Sequence, residues 1–226
     1  MPVPAPAYPY AYRRHARGTD INRIILRSGK AALLSLVLQC AAAWGTCSPI
    51  VVDLGKNGIE LGAAGAGVHF DVNNDGLFEH LQWVRPGGDE AFLVLDRNGN
   101  GLVDNGGELF GVGTPMFFEG RNAPNGFVGL SQYDSTPLGG NDDGYISSDD
   151  SIWPNLYLWL DGNADGVSTS DEMFKPDNVG MTSFETIPKL RRQYDSAGNW
   201  LPFWAWAMSD TRPRRTVMVD VFFVEL

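Results

Sequence analysis

The sequence predicts an α+β fold of antiparallel β-hairpins with short helices, carrying several EF-hand-like calcium loops. Three observations lead there. Short apolar runs alternate with Gly/Asn/Asp turns from Pro49 onward, and no helical periodicity reaches the length of an ordinary long helix. The 27 glycines and 14 prolines favour turns over long helices. Asp/Asn residues at alternate positions, closed by glycine, recur along the chain.

Taken in order, IVVDLGKNGIEL (50–61) reads as two strands around an Asn57-Gly58 turn. VHFDVNNDGLFEHLQWV (68–84) is again strand, turn and strand, and AFLVLD (91–96) is a strand. ELFG (108–111) closes a helical turn. GFVGLSQYD (126–134) places Phe127, Leu130 and Tyr133 on one side of a short helix. LYLWL (156–160) is a compact apolar strand. KLRRQYDSAGNWLPFWAWAM (189–208) reads as a hairpin around Ser196–Asn199, and TVMVDVFFVEL (216–226) as a closing strand. The expected division is a leader at 1–44, a β-rich loop region at 45–125, an EF-hand-like pair at 126–188, and a C-terminal hairpin and strand at 189–226 on the same domain.

The chain has 226 residues and a net charge of -10, unevenly spread. Residues 1–44 hold six basic residues and one acid, which leaves 11 basic and 26 acidic residues, net -15, in 45–226. So acidic a body is repelled by phosphate, which argues against nucleic-acid binding. The run AALLSLVLQCAAAW (31–44) follows Arg27 and Lys30 and ends in small residues with an A-x-A pattern at Ala41–Ala43. It reads as a secretory signal, too short for a comfortable transmembrane span. The expected location is therefore secreted, cell-surface or periplasmic. Cys40 would leave with the leader. Cys47 would stand alone, without an internal disulfide; it could anchor a lipid, although Trp44-Gly45-Thr46 is a poor lipobox.

DGNADGVSTSDE (161–172) is the most regular loop. Asp161, Asn163 and Asp165 occupy positions one, three and five, Val167 offers a carbonyl at seven, and Glu172 closes at twelve. Oxygens so placed repel one another unless a cation lies between them. Asp96, Asn98 and Asn100 repeat the pattern, with Leu102 at seven, Asp104 at nine and Glu108 at thirteen. Asp71, Asn73 and Asp75 repeat it again, with Leu77 at seven; Gln82 at twelve offers only a neutral oxygen, so Glu79 must help. A fourth loop is interrupted by Thr136–Gly140 and uses Asp134, Asn141, Asp143, Tyr145 and Asp150. A fifth, Asp53–Gly58, keeps the turn but has Gly55 where the second ligand belongs, followed by Lys56, which would oppose a cation, and is expected to be a turn alone. The expected order of filling is 161–172, then 96–108 and 134–150, then 71–82. Ile146 and Ser168 share position eight, so these two loops are expected to pair.

All these ligands are hard oxygens, which favours Ca2+ over zinc. The histidines His69 and His80 flank one loop, and such a lone pair reads as structural or solvated.

PIVVDLGKNGIEL, FDVNNDGLFEHLQWV, FLVLDRNGNGLVDNGGELFG and LWLDGNADGVSTSDEM resemble a calcium-binding module of bacterial exported, RTX-type proteins. The resemblance spans about residues 49–175, and the tail is similar to that of short secreted members. It implies calcium ions as the cofactor and export from a bacterial cell. Some relatives in that family carry a calcium-triggered module that cleaves itself at an Asp-Pro bond; this chain contains no Asp-Pro step.

No G-x-S-x-G, no H-E-x-x-H and no Cys with a plausible His partner is present, so an enzyme is not expected. The expected protein is a secreted calcium-binding protein whose ions order and stabilise an extracellular fold. The alternatives are a calcium-dependent adhesion or docking module, meeting a cell-envelope or extracellular protein or glycan through Trp200, Phe203, Trp204 and Trp206, and a metal-dependent hydrolase. A calcium sensor is disfavoured by the strand-rich loops.

Overall fold

A computed structural model describes residues 47–62 and 67–226, which lie in one compact unit, Cys40–Leu226. The expected leader, with its A-x-A pattern and Cys40, lies outside the described residues.

Among the described residues, eleven strands and one α-helix are formed. The strands are β1 (Ile50–Asp53), β2 (Val68–Phe70), β3 (Glu79–Leu81), β4 (Glu90–Leu95), β5 (Tyr145–Ser147) and β6 (Leu156–Trp159). They continue with β7 (Met173–Phe174), β8 (Met181–Glu185), β9 (Lys189–Leu190), β10 (Trp200–Ser209) and β11 (Arg215–Phe222). The helix α1 spans Gly126–Ser131. Nine strands make one sheet in the order β5-β8-β10-β11-β1-β4-β6-β7, with β9 beside β10, while β2 and β3 form a separate hairpin. Every pairing is antiparallel.

This corrects the α+β expectation. The described residues fold as a mostly antiparallel β-sheet with one six-residue α-helix among them. The EF-hand-like pair expected in 126–188 is not formed. GFVGLS makes less than two α-turns before tightening into a 3-10 turn at Gln132–Asp134, and 148–152, which would have to supply the exit helix of such a pair, is a string of turns. LYLW forms the strand read from the sequence, an inner one with Leu156, Leu158 and Trp159 fully buried. A short apolar run gains more from burial on both sheet faces than a short helix gains from its own hydrogen bonds. Strands from the segments 45–125, 126–188 and 189–226 alternate within the one sheet.

The pleat sorts side chains onto two faces. Val51, Phe92, Val94, Trp159, Val219 and Val221 point to one face and pack against Val68, Phe70, Leu81 and Trp83 from the β2–β3 hairpin region. Trp83 is the hub, with ring centroids 4.6 Å from Phe92 and 5.4 Å from both Phe70 and Phe223. On the opposite face α1 rests on the sheet, where the Gly126 N–H donates to Asp220 Oδ2 at 3.0 Å. Asn125 caps this helix, its Oδ1 accepting from Val128 N at 2.9 Å.

In the aromatic tail, Trp200 and Phe203 are buried. Half-buried Trp204 and Trp206 lie under Arg191 and Arg215, with guanidinium carbons 4.9 and 4.2 Å from the ring centroids. No helix among the described residues is long and apolar enough to cross a membrane.

Candidate metal centre

Five loops share one backbone. Position four has positive φ at Lys56, Asn74, Gly99, Asp142 and Ala164, and position six is a left-handed glycine in every loop. The first aspartate makes this turn, since its carboxylate reaches forward to the N–H of the position-six glycine. The distances are 2.8 Å for Asp53–Gly58, 3.0 Å for Asp71–Gly76, Asp96–Gly101 and Asp134–Gly144, and 2.9 Å for Asp161–Gly166. Position five then accepts the N–H of position seven at Asp75, Asn100, Asp143 and Asp165. Four of the aspartate–glycine bonds span five residues, so the hexapeptide pattern is sufficient to specify them, while Asp134 reaches Gly144 across the interruption.

The loops differ in how the later acid is used. At 71–79 the chain folds back, and Glu79 accepts from Val72 N at 3.0 Å and Asn73 Nδ2 at 2.7 Å. Ligand oxygens of Asp71, Asp75 and Glu79 lie within 4.8 Å of one another, the one such acidic group of three among the described residues. Asn73 Oδ1 is buried there without a hydrogen-bond partner. The Glu79 carboxyl is held above its ordinary range, first by burial and then by the Asp75 and Asp71 charges. Gln82, at position twelve, is turned away and donates to Ala197 O at 3.1 Å.

At 161–172, Asp161 is buried and accepts from Trp83 Nε1 at 2.7 Å, while Asn163 Nδ2 donates to Asp165 Oδ2 at 2.9 Å. Val167 is exposed, with its N–H on Asp165 Oδ1. Glu172 closes a capping box with Thr169 around the 3-10 turn Ser170–Glu172. Burial raises the Asp161 carboxyl, and the Glu172 charge adds to that shift.

At 96–108, Asp104 Oδ2 gathers the amides of Asn98 and Asn100 at 2.6 and 2.9 Å. Leu102 N rests on Asn100 Oδ1, and Glu108 accepts from Arg97 N and Asp104 N. At 134–150, Asn141 Nδ2 donates to Asp143 Oδ2, and Tyr145 N to Asp143 Oδ1. Asp150 is 2% exposed, and its Oδ1 has no hydrogen-bond partner. Its carboxyl is raised by burial and by the Asp134 and Asp143 charges.

Loop 53–58 has no comparable group of acids. Lys56 Nζ leaves the loop and donates to Ser209 Oγ, Thr211 Oγ1 and Pro213 O at 2.9, 2.7 and 2.9 Å. Asn57 Nδ2 donates to Asp89 Oδ2 at 2.8 Å.

The expected pairing of Ile146 with Ser168 does not occur. Ile146 pairs with Phe184 in the sheet. Ser168 meets Val103, the position-eight residue of loop 96–108: Val103 N donates to Ser168 Oγ at 2.7 Å, and Ser168 Oγ donates to Val103 O at 3.2 Å. Sequence reasoning missed Trp83 and Val103 as partners of the acidic loops, because both contacts join distant segments. His69 and His80 stack across the β2–β3 hairpin, centroids 4.5 Å apart, below the acidic group.

The fold and its loops define an antiparallel sheet protein with repeated acidic Asx turns. The chain matches the SPM domain family over residues 50–224 and belongs to that family. It is 37% identical over 155 residues to the iron-regulated protein FrpA of Neisseria meningitidis serogroup C, covering 68% of this chain and 13% of that protein. The chain thus spans a small part of that relative's length.

Proposed function

We propose that the chain is an exported calcium-binding module whose ions order and stabilise its own fold. The observation that carries this reading is the convergence of Asp71, Asp75 and Glu79 around the partnerless Asn73 oxygen. Carboxylates held this close raise one another's proton affinity, and a divalent cation removes that repulsion. Asp71, Asn73, Asp75 and Glu79 would hold the ion, with the Leu77 carbonyl and water completing an oxygen shell. The donors are all hard, which suits Ca2+ better than zinc. The partnerless Asp150 oxygen supports the same role for Asp134, Asn141, Asp143 and Asp150. The loops at 96–108 and 161–172 have the required turn, with their later acids engaged in backbone bonds.

Bound calcium favours the folded state by mass action. Sites in the extracellular class, on the order of 0.1–1 mM, suffice for this role. Docking through the aromatic tail is a weaker reading, since those rings are buried or covered by arginines. The test is calorimetric titration and thermal melting of the protein with Ca2+, Mg2+ and chelator. A calcium-dependent rise in Tm with saturable heat is expected; an unchanged Tm in chelator would sink the reading.

A further inference from the structure

Asp220 lies in the middle of β11 and is 0% exposed. Its neighbours in the sheet are Ile50 on β1 and Phe203 on β10. Its side chain points to the α1 face, where Oδ2 accepts the Gly126 N–H at 3.0 Å and Oδ1 has no hydrogen-bond partner. The helix start is pressed onto the sheet: a Cβ on Gly126 would stand 2.4 Å from Phe110 O and 2.6 Å from Ile50 Cγ1. Little room is left there for solvent to hydrate a charge.

The charged and titratable groups on the surrounding elements are committed elsewhere. On β1, Asp53 binds its own loop. On β11, Arg215 lies over Trp206. The strand β10 and the helix α1 carry no titratable side chain. Next to Ser48, Cys47 Sγ donates to Glu225 Oε1. Beyond α1, Asp134 binds Gly144 N, and ahead of Phe110, Glu108 binds Arg97 N and Asp104 N.

We propose that the folded protein carries Asp220 as the neutral acid, a proton-held latch beneath α1 that ionisation releases. The proton on the partnerless oxygen removes a buried charge that no cation offsets. On release it passes to solvent, and the carboxylate left behind must be hydrated by lifting α1 from the sheet. Because α1 runs on into the turn Gln132–Asp134, the latch also holds the entry to loop 134–150.

Burial pushes this carboxyl up to about 7, against smaller opposing pulls from the Gly126 N–H and from the Ser48 hydroxyl, which lies near without a hydrogen bond to it. The unfolded value is about 3.9. A folded value above the unfolded one means that the contribution is fully present below about pH 4. It is lost as pH rises through about 7 and is constant beyond that.

The test is Tm against pH from 5 to 8.5, for wild type and Asp220→Asn, at saturating calcium and again in chelator. Wild type should lose roughly 5–10 °C relative to the variant across that range. Parallel curves would overturn the proposal. Should Asp220→Asn not fold, a carbon-13 carboxyl titration of the calcium-loaded wild type decides. One aspartate titrating near 7 is expected, and finding every aspartate ionised by pH 5 would refute the latch. Neither readout requires calcium to bind, so this result stands or falls separately from the calcium reading.

Discussion

Trp83 Nε1 donates to Asp161 Oδ2 at 2.7 Å in the interior, so the aromatic core is fastened directly to the first carboxylate of an acidic loop. The indole is also in ring contact with Phe70, Phe92, Trp159 and Phe223. Any cation that draws on Asp161 must alter the surroundings of this ring.

Calcium titration should therefore change tryptophan emission, and Trp83→Phe should remove most of that change. The variant keeps an aromatic ring but loses the donor that orients the carboxylate. Loss of such an outer partner typically weakens metal binding by about tenfold. Unaltered affinity at loop 161–172 would show that the bond is structural alone.

Ser168→Ala should unfold at lower denaturant than wild type. Ser168 Oγ both accepts from Val103 N and donates to Val103 O in a buried site. Its loss leaves two backbone groups unsatisfied, at about 1–3 kcal/mol for the donor alone. Because the bond joins loops 96–108 and 161–172, calcium heats assigned to both should change together. A change confined to one loop would mean that they act separately.

Asp75→Asn should have opposite effects with and without calcium. The substituted oxygen still accepts the Leu77 N–H, while one charge leaves the group formed with Asp71 and Glu79. In chelator the Tm should rise by about 1–2 °C as repulsion falls. With calcium, affinity should drop by about tenfold, because ligand charge sets the strength of oxygen sites. A fall in Tm under both conditions would argue against a cation site at this loop.

Lys56→Met should lower stability by about 1–2 kcal/mol in a urea melt, since it strips the ammonium from three oxygens of the β10–β11 turn. Its calcium heats should match wild type, because loop 53–58 has no ligand group of its own. Altered heats would reopen that loop as a site.

Much of the candidate centre was legible in the sequence for a local reason. Asp71 reaches Gly76, and Asp161 reaches Gly166, across five residues of the same chain, so the motif alone dictates the turn. Glu79 was legible as a helper, because Gln82 is a weak closing ligand. The expected order of filling was less well founded. Glu172 spends its carboxylate on Thr169, whereas Glu79 turns inward.

The α+β class gave too much weight to one short helical segment. GFVGLS has helical spacing, but it makes a single six-residue helix. LYLW has the length of either a buried helix piece or a strand, and only its register, Leu158 opposite Leu93 and Phe174, makes it a strand.

By itself, the sequence determined the hexapeptide turns, the acidic charge of the body and the strand character of its longer apolar runs. These follow from glycine at positive φ, from side chains bonding their own backbone and from the alternation of apolar residues. Tertiary structure alone decided that β1 lies between β4 and β11, that Val103 meets Ser168, and that Trp83 meets Asp161. Those contacts join residues about 40 to about 170 positions apart. Their energy comes from burying one shared core, a quantity that no single segment contains.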